Sequence, residues 1–398
     1  MLHDVRYGLR MLVKNPGFTV IAVLTLSLGI GANTAIFSVV NGVLLRDLPF
    51  PESDRIVTLW ENNTVDGLER DDVSPANFLD WRERQKSFDE LAFANPFSFD
   101  FVADGEPVTI RSALVSKGFF DVLGASQLHG RVFAPEEYDA GKDKVVILSY
   151  GLWQRRFGSD LKIIGTKLTL DEEPRTVVGV MRPDFRLHLF DVDEEMWGPD
   201  VITDDLKSQR KATYLKVIGR LKPGVTIEQA RAEMSGIANN LATEYPATNT
   251  GIGVNAITLP EHLSGKWRLA LFILLGAVGF VLLIACTNVA NLLLARGADR
   301  ERELAIRAAM GAGRWRLLRQ LLTESLLIAI LGCGIGILLA RWCVHLLVAF
   351  NPADIPRLDQ VSVDGTTLIF VTSIGFFTAL LFGIAPALKF SRPTSNAV

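Results

Sequence analysis

The amino-acid sequence predicts a membrane protein with four transmembrane α-helices and a large extracytoplasmic α/β domain inserted between spans 1 and 2. The chain is 49% hydrophobic and 21% charged over 398 residues, which indicates that charged and nearly charge-free segments alternate. Four apolar runs each exceed the roughly 20 residues needed to cross about 30 Å of hydrocarbon. The segment between the first two runs has the composition of a soluble domain.

These runs set the predicted boundaries along the chain. Spans 1 to 4 are predicted at 18–45, 267–295, 320–350 and 366–388. The other segments are a cytoplasmic amphipathic segment (1–17), the extracytoplasmic domain (46–266, with a strand-rich subdomain inserted at about 115–185), a cytoplasmic loop (296–319), a short external loop (351–365) and a cytoplasmic tail (389–398). A cleaved signal peptide is the alternative for the first run, but its apolar core would be only about 7–15 residues long.

Basic residues in the short segments predict the orientation. The loop 296–319 carries seven arginines, whereas the loop 351–365 carries only Arg357. Lys and Arg accumulate in cytoplasmic loops. We therefore expect both termini and the 296–319 loop inside the cell, and the 46–266 domain outside it.

Polar residues inside the apolar runs are the first candidate functional residues. Asn288 and Asn291 lie at the cytoplasmic end of span 2, where they can hydrogen bond to other helices. Glu324 is expected within about the first turn of span 3, stabilised by the helix dipole and by nearby water. A proton relay through Glu324 is the alternative, but no second carboxylate lies within the apolar runs.

The external segment shows alternating strand and helix patterns. Thr226 and Gln229 form a predicted capping box, followed by a helix that places Ala230, Met234 and Leu241 on one face. Strands at 214–221 and 254–259 flank this helix as a β-α-β unit. Other predicted elements are a helix that starts with Ser74 as N-cap and Pro75 at its first position, a strand at 145–148 and a hairpin at 167–180 that turns at 171–174.

No motif in the sequence indicates catalytic, metal-binding or cofactor-binding residues. The five histidines are scattered, and the sequence contains no H-E-x-x-H, G-x-S-x-G, C-x-x-C or G-x-x-x-x-G-K-[ST] pattern. A net charge of −3 without a basic face argues against nucleic acid. We therefore expect a binding or mechanical protein rather than an enzyme, with any ATPase on a separate chain.

The most informative stretch lies in the cytoplasmic loop, where the pattern predicts a short helix from Asp299 to Gly311. Glu303 and Arg307 have the spacing of an i,i+4 ion pair. Ile306 and Ala308 offer small apolar contacts among the arginines. Without further information, such a helix could simply lie on anionic lipid.

Residues 302–312 read R-E-L-A-I-R-A-A-M-G-A, which resembles the hallmark R-E-x-x-I-R-x-A-x-G-A of the FtsX/MacB-type permeases of ABC transporters. In that family the helix couples the membrane domain to a cytoplasmic ATPase. The resemblance implies this coupling role for Arg300, Arg302, Glu303, Ile306, Arg307, Ala308 and Gly311.

The resemblance extends over nearly the whole chain. In the external segment it rests on residues 119–124, 130–133, 177–181 and 219–225. The sequence of residues 382–387, F-G-I-A-P-A, most resembles that of the duplicated orphan permeases, the ADOP group. Those permeases carry a second copy of the plan, so we expect a half-length member, a fragment, or a subunit that pairs with a copy of itself.

The family implies a permease subunit in the bacterial plasma (inner) membrane. It would transmit ATP-driven motion from a separate cytoplasmic ATPase to the extracytoplasmic domain, for export or extraction of cargo at the outer face. Expected partners are the ABC ATPase, a second copy or a related permease half, membrane lipid and a periplasmic adaptor. The alternative is an FtsX-like regulatory scaffold that signals to an external cell-wall enzyme.

Overall fold

The computed structural model describes residues 2–103, 106–186, 194–299, 314–350, 358 and 361–391. Contacts divide the chain into two units. The first comprises Met1–Arg46 with Lys266–Val398, and the second is Asp47–Gly265. We call them the membrane unit and the external unit.

Both units contain α-helices, which are numbered in chain order. They are α1 (Leu2–Lys14), α2 (Pro16–Val40, continued by a π-helix at Asn41–Leu45), α3 (Pro75–Arg84), α4 (Phe119–Leu123), α5 (Tyr150–Phe157), α6 (Asp204–Ser208), α7 (Ile227–Glu244), α8 (Pro246–Asn249), α9 (Leu259–Asp299), α10 (Arg314–Phe350) and α11 (Gly365–Ser391). Single 3₁₀ turns lie at Ser53–Arg55, Pro135–Tyr138 and Leu161–Ile163.

The strands among the described residues all belong to the external unit. They are β1 (Ile56–Asn63), β2 (Leu68–Asp71), β3 (Phe88–Ala103), β4 (Glu106–Val115), β5 (Gln127–Gly130), β6 (Val145–Leu148), β7 (Lys167–Leu170), β8 (Glu173–Met181), β9 (Met196–Pro199), β10 (Lys216–Leu221) and β11 (Ile252–Thr258). Within the described residues they form one mixed sheet in the order β11-β1-β10-β3-β4-β9-β6-β8-β5. β2 pairs with β1, and β7 pairs with β3 and β8.

Both faces of this sheet are covered by apolar side chains. In β6, Val146 and Leu148 pack with Trp153 of α5, whereas Ile147 packs in a different cluster with Phe119 of α4. A strand buried on both faces needs a continuous apolar run rather than alternation. The predicted strand at 145–148 is therefore confirmed, and its uninterrupted V-V-I-L sequence is explained.

The predicted β-α-β unit is present, but it is split. β10 and β11 lie on either side of β1, and each pairs with it antiparallel. The capping box before α7 is confirmed, because the Thr226 amide donates to Gln229 Oε1 (2.9 Å) and the Gln229 amide donates to Thr226 Oγ1 (3.3 Å). The predicted apolar face of α7 is buried against the sheet.

A buried carboxylate, Glu61 of β1, organises the start of α3. Its Oε1 accepts hydrogen bonds from the Ser74 amide (2.8 Å), the Ser74 hydroxyl (2.9 Å) and Asn77 Nδ2 (2.9 Å). Burial raises the pKa of Glu61 above its ordinary value, and these donors partly offset that rise. Ser74 stands at the predicted N-cap position, but its side chain makes no capping hydrogen bond to α3.

Three helices in the described residues are long and apolar enough to cross a membrane, judged by length and composition. They are Pro16–Leu45, Leu259–Leu293 and Leu322–Phe350. The apolar helical stretch Gly365–Leu380 is shorter, so the fourth span stays a prediction.

Candidate transmission site

The predicted coupling residues from Arg300 to Gly311 lie outside the described residues. The helices on either side of them are described. α9 extends to Asp299, and α10 begins at Arg314. The membrane unit therefore shows the elements that flank the predicted coupling helix.

The three polar residues predicted within the spans have different surroundings. Asn288 and Asn291 are exposed on α9, and their predicted hydrogen bonds to other helices stay a prediction. Glu324 is only 4% exposed. It lies ten positions beyond Arg314, the first residue of α10. The expected stabilisation by the helix dipole was wrong, because that effect is confined to the first turn.

The short helix α1 packs against α10 close to Glu324. A Cβ atom added to Gly8 would lie 2.7 Å from Leu327 Cδ1 and 3.8 Å from Glu324 Cγ. Leu12 of α1 is buried with residues of α2 and α10. On the remaining surface of α1, Arg6, Leu9 and Arg10 are exposed, a mixture of basic and apolar side chains typical of a membrane surface.

Small residues allow α2 to approach α10 closely. A Cβ added to Gly31 would lie 3.1 Å from the Gly336 carbonyl oxygen, and one added to Gly332 would lie 3.0 Å from Leu26 Cβ. Backbones at this distance make many van der Waals contacts, which stabilise helix pairs where lipid provides no hydrophobic driving force. The glycines of α10 thus form a packing surface for α2.

α2 also contacts α9 through a polar side chain. Asn33 Nδ2 donates to the Val278 carbonyl of α9 at 2.7 Å and to the Gly29 carbonyl of its own helix at 2.9 Å. A Cβ added to Gly29 would lie 3.1 Å from Leu282 Cδ1. The hydrogen bond fixes the register of the two helices, because it joins one side chain to one backbone oxygen.

The third neighbour of α2 is α11. Phe37 and Phe370 stack with ring centroids 3.8 Å apart and an interplanar angle of 7°. Ser38 directly follows Phe37 in α2, and its Oγ lies 3.5 Å from Thr367 Oγ1. Asn41 Nδ2 then donates to Asp364 Oδ2 at 3.0 Å.

α2 therefore contacts each of the other three long helices of the membrane unit, and we call it the hub helix. Five polar residues of α2 and its π-helical continuation are buried within the unit: Ser27, Asn33, Thr34, Ser38 and Asn41. The sequence interpretation missed Asn33 and Asn41. Their signal was the presence of amide side chains inside an otherwise apolar run, which marks interhelical contacts in membranes.

Two family models match the chain in sequence order. The MacB-like periplasmic core domain matches residues 19–237, and the FtsX-like permease C-terminal matches residues 275–394. The first match alone covers more than half of the chain. The chain belongs to the MacB/FtsX-type ABC permease family. The second match includes the predicted coupling helix and both α10 and α11.

Individual relatives are distant and longer than this chain. The macrolide export ATP-binding/permease protein MacB of Salmonella paratyphi A is 25% identical over 287 residues, which cover 72% of this chain and 42% of that protein. The pyoverdine export ATP-binding/permease protein PvdT of Pseudomonas syringae pv. tomato is 25% identical over 263 residues, covering 65% of this chain and 38% of that protein. The chain thus spans less than half the length of these relatives.

Among solved structures, the periplasmic region of MacB from Actinobacillus actinomycetemcomitans is similar to part of this chain. That structure is 13% identical in sequence, with a TM-score of 0.39. The match covers 56% of this chain and 94% of that one.

Proposed function

We propose that this chain is the permease subunit of an ABC-type transporter and that it transmits motion from a separate cytoplasmic ATPase to its extracytoplasmic domain. Family membership is the observation that carries this proposal, since both family models match along the chain. The hub helix supports it, because α2 contacts α9, α10 and α11 and leads directly into the external unit at Asp47. A displacement of the α9–α10 loop would therefore reach α2 through two neighbouring helices.

The proposed topology has four spans, cytoplasmic termini and an extracytoplasmic domain at 46–266. The arginines of the 296–319 loop support it. So does α1, which exposes basic residues on the same side of span 1 as the N-terminus. The strand-rich subdomain at about 115–185 belongs to this proposal as well, although one sheet runs through the whole external unit.

Export or extraction of cargo at the outer face is the proposed activity. The matched relatives are named as export proteins for a macrolide and for pyoverdine. Their names combine an ATP-binding and a permease part, so an ATPase works with the permease in those relatives. The alternative function is signalling to an external cell-wall enzyme, and copurification from native membranes distinguishes it from export.

The proposed partners beyond the ATPase are a second copy or related permease half, membrane lipid and a periplasmic adaptor. The exposed apolar surface of α9 supports the first two. Leu269, Phe272, Ile273 and Phe280 are between 45% and 72% exposed in the single chain. Such side chains need lipid or another helix around them.

The coupling assignment is tested with two substitutions in the predicted coupling helix, Arg307→Lys and Ala308→Glu. If the helix docks in an ATPase cleft, both should reduce ATPase copurification and stimulated turnover. A lysine cannot reproduce the planar guanidinium, and a glutamate places a bulky charge at a packed contact. Arg10→Lys, an exposed arginine of α1, is the matched control and should leave both quantities unchanged.

If the helix only lies on lipid, charge alone should matter, at about 1 kcal/mol per basic residue. Arg307→Lys would then behave like wild type. Normal ATPase binding and turnover in both variants would remove the coupling-helix assignment. Mass spectrometry of proteins that copurify from native membranes would show whether an exporter adaptor or a cell-wall enzyme accompanies the chain.

A further inference from the structure

The outer end of the hub helix, where it leads toward residue 47, has an irregular backbone. α2 changes to a π-helix at Asn41–Leu45, and the Arg46 amide donates to the Asn41 carbonyl at 2.8 Å. A π-helical turn is rare and is frequently found at functional sites. This turn lies at the point where α2 meets the segment before α11.

Two adjacent residues of the π-turn contact that segment. Asn41 Nδ2 donates to Asp364 Oδ2 at 3.0 Å. Gly42 lies against Val361, so that an added Cβ would be 2.8 Å from Val361 Cγ2 and 3.3 Å from Val361 Cα. The first contact is directional, and the second leaves no room for a side chain on the hub helix.

Asp364 uses its two oxygens for different tasks. Oδ1 accepts hydrogen bonds from the Thr367 amide (2.9 Å) and the Thr367 hydroxyl (3.0 Å), which caps the start of α11. Oδ2 accepts the hydrogen bond from Asn41. The same carboxylate thus begins one helix and fixes it to another.

We propose that Asn41, Gly42 and Asp364 are positioning residues that tie the outer end of α11 to the outer end of the hub helix, so that the two helices move together during transmission. We call this contact the outer latch. The proposal rests on the proposed function, since it names how motion of the hub helix is shared within the permease. The α2–α11 pair has two other contacts, the Phe37–Phe370 stack and the Ser38–Thr367 contact, which lie further from the outer end of α2 than the latch does. Neither begins a helix.

An exchange of the two side chains tests the latch. Asn41→Asp alone places two carboxylates opposite each other. Asp364→Asn alone leaves one acceptor oxygen where two are used. In the double variant Asn41→Asp/Asp364→Asn, the amide at 364 can cap α11 with its oxygen and donate to the carboxylate at 41.

The readout is amide hydrogen exchange of residues 365–369 in the full chain in lipid nanodiscs. Asn41→Asp should accelerate exchange roughly tenfold, and the double variant should return it to within about threefold of wild type. Asn240→Asp, an exposed asparagine of α7 in the external unit, is the matched control and should not change exchange at 365–369. Unchanged exchange in Asn41→Asp, or a double variant as fast as Asn41→Asp, would overturn the latch.

A second readout separates positioning from simple stability. With the ATPase present, Asn41→Asp should still bind it but reduce permease-stimulated turnover, and the double variant should restore turnover. Normal turnover in every variant would overturn the positioning role even if exchange behaves as expected. If no ATPase binds the wild-type chain, the proposed function fails while the exchange result still decides whether the latch exists.

Discussion

Gly130 of β5 and Gly179 of β8 allow these two strands to approach closely. They are register partners in the antiparallel pair. A Cβ added to Gly130 would overlap with the Val178 carbonyl oxygen, and one added to Gly179 would overlap with the Arg131 carbonyl oxygen. Gly130 also has φ +74°, in the left-handed region. Both the space and the backbone conformation therefore require glycine at position 130.

Gly130→Ala should destabilise the external unit by about 3 kcal/mol, the sum of backbone strain and overpacking. Gly141→Ala is the matched control, because Gly141 has φ +85° but nothing within 4 Å of an added Cβ. It should cost only the strain, about 1 kcal/mol. The measurement is denaturant unfolding of residues 46–266 expressed alone. Equal losses in the two variants would contradict the close approach of the strands.

The sequence identified these residues without showing why they matter. Residues 130–133 and 177–181 carried part of the family resemblance, but nothing in the sequence indicated that they lie side by side. Asn41 was missed altogether, and its partner Asp364 is 323 positions away. Hydropathy treats a lone amide in an apolar run as a tolerated exception, so long-range polar contacts escape it.

At the scale of single elements, the β7–β8 hairpin was predicted correctly except for its turn. The turn consists of Asp171 and Glu172, with φ +49° and +63°, and Glu173 already belongs to β8. Positive φ at both central residues is typical of a type I′ turn. Asp171 also accepts a hydrogen bond from the Asp100 amide (2.8 Å). Glu172 occupies the other position of positive φ, where glycine is the favoured residue. Of the two turn residues, Glu172 is therefore the less favourable one.

Glu172→Gly should therefore stabilise the external unit by about 1 kcal/mol, since it completes the favoured Asp-Gly turn. Glu173→Gly, one position later in the strand, is the matched control. It should destabilise the unit by about 0.5–1 kcal/mol through lost backbone entropy. Thermal unfolding of the two variants measures both effects. A stabilised Glu173→Gly variant or a destabilised Glu172→Gly variant would show that the turn lies elsewhere.

Helix lengths were the less predictable property of the elements. The predicted spans at 267–295 and 320–350 mark only the apolar parts of α9 and α10, which run over Leu259–Asp299 and Arg314–Phe350. Backbone hydrogen bonds continue through the arginine-rich turns, where hydropathy is low. This is why Glu324 was expected near a helix start and instead lies well inside α10.

For the whole molecule, the alternation of apolar and soluble segments was enough to predict membrane helices and a separate soluble domain. It could not predict that one sheet would pass through the entire external unit. The link β4-β9-β6 joins the region around 115–185 to the rest of the sheet. β9 is only four residues long, Met196–Pro199. A strand this short with a Gly-Pro end carries almost no sequence signal.

Single cysteines at exposed positions test the proposed topology. Cys286, Cys333 and Cys343 are first replaced by alanine, and then Ala140→Cys, Asn240→Cys, Ser362→Cys and Arg10→Cys are introduced one at a time. A membrane-impermeant thiol reagent applied to intact spheroplasts should label the cysteines at 140, 240 and 362 but not the one at 10. The arginine asymmetry is the physical reason, because it holds the 296–319 loop and the N-terminus on the cytoplasmic side.

Permeabilised membranes provide the control, since all four cysteines lie at exposed positions and should react once the reagent reaches both sides. The cysteine at 362 tests the third and fourth spans separately from the external unit. If it reacts only after permeabilisation while those at 140 and 240 react in intact spheroplasts, the segment before α11 is cytoplasmic. The outer latch would then lose its outer location. Labelling at position 10 alone in intact spheroplasts would invert the whole topology, and with it the proposed direction of force transmission.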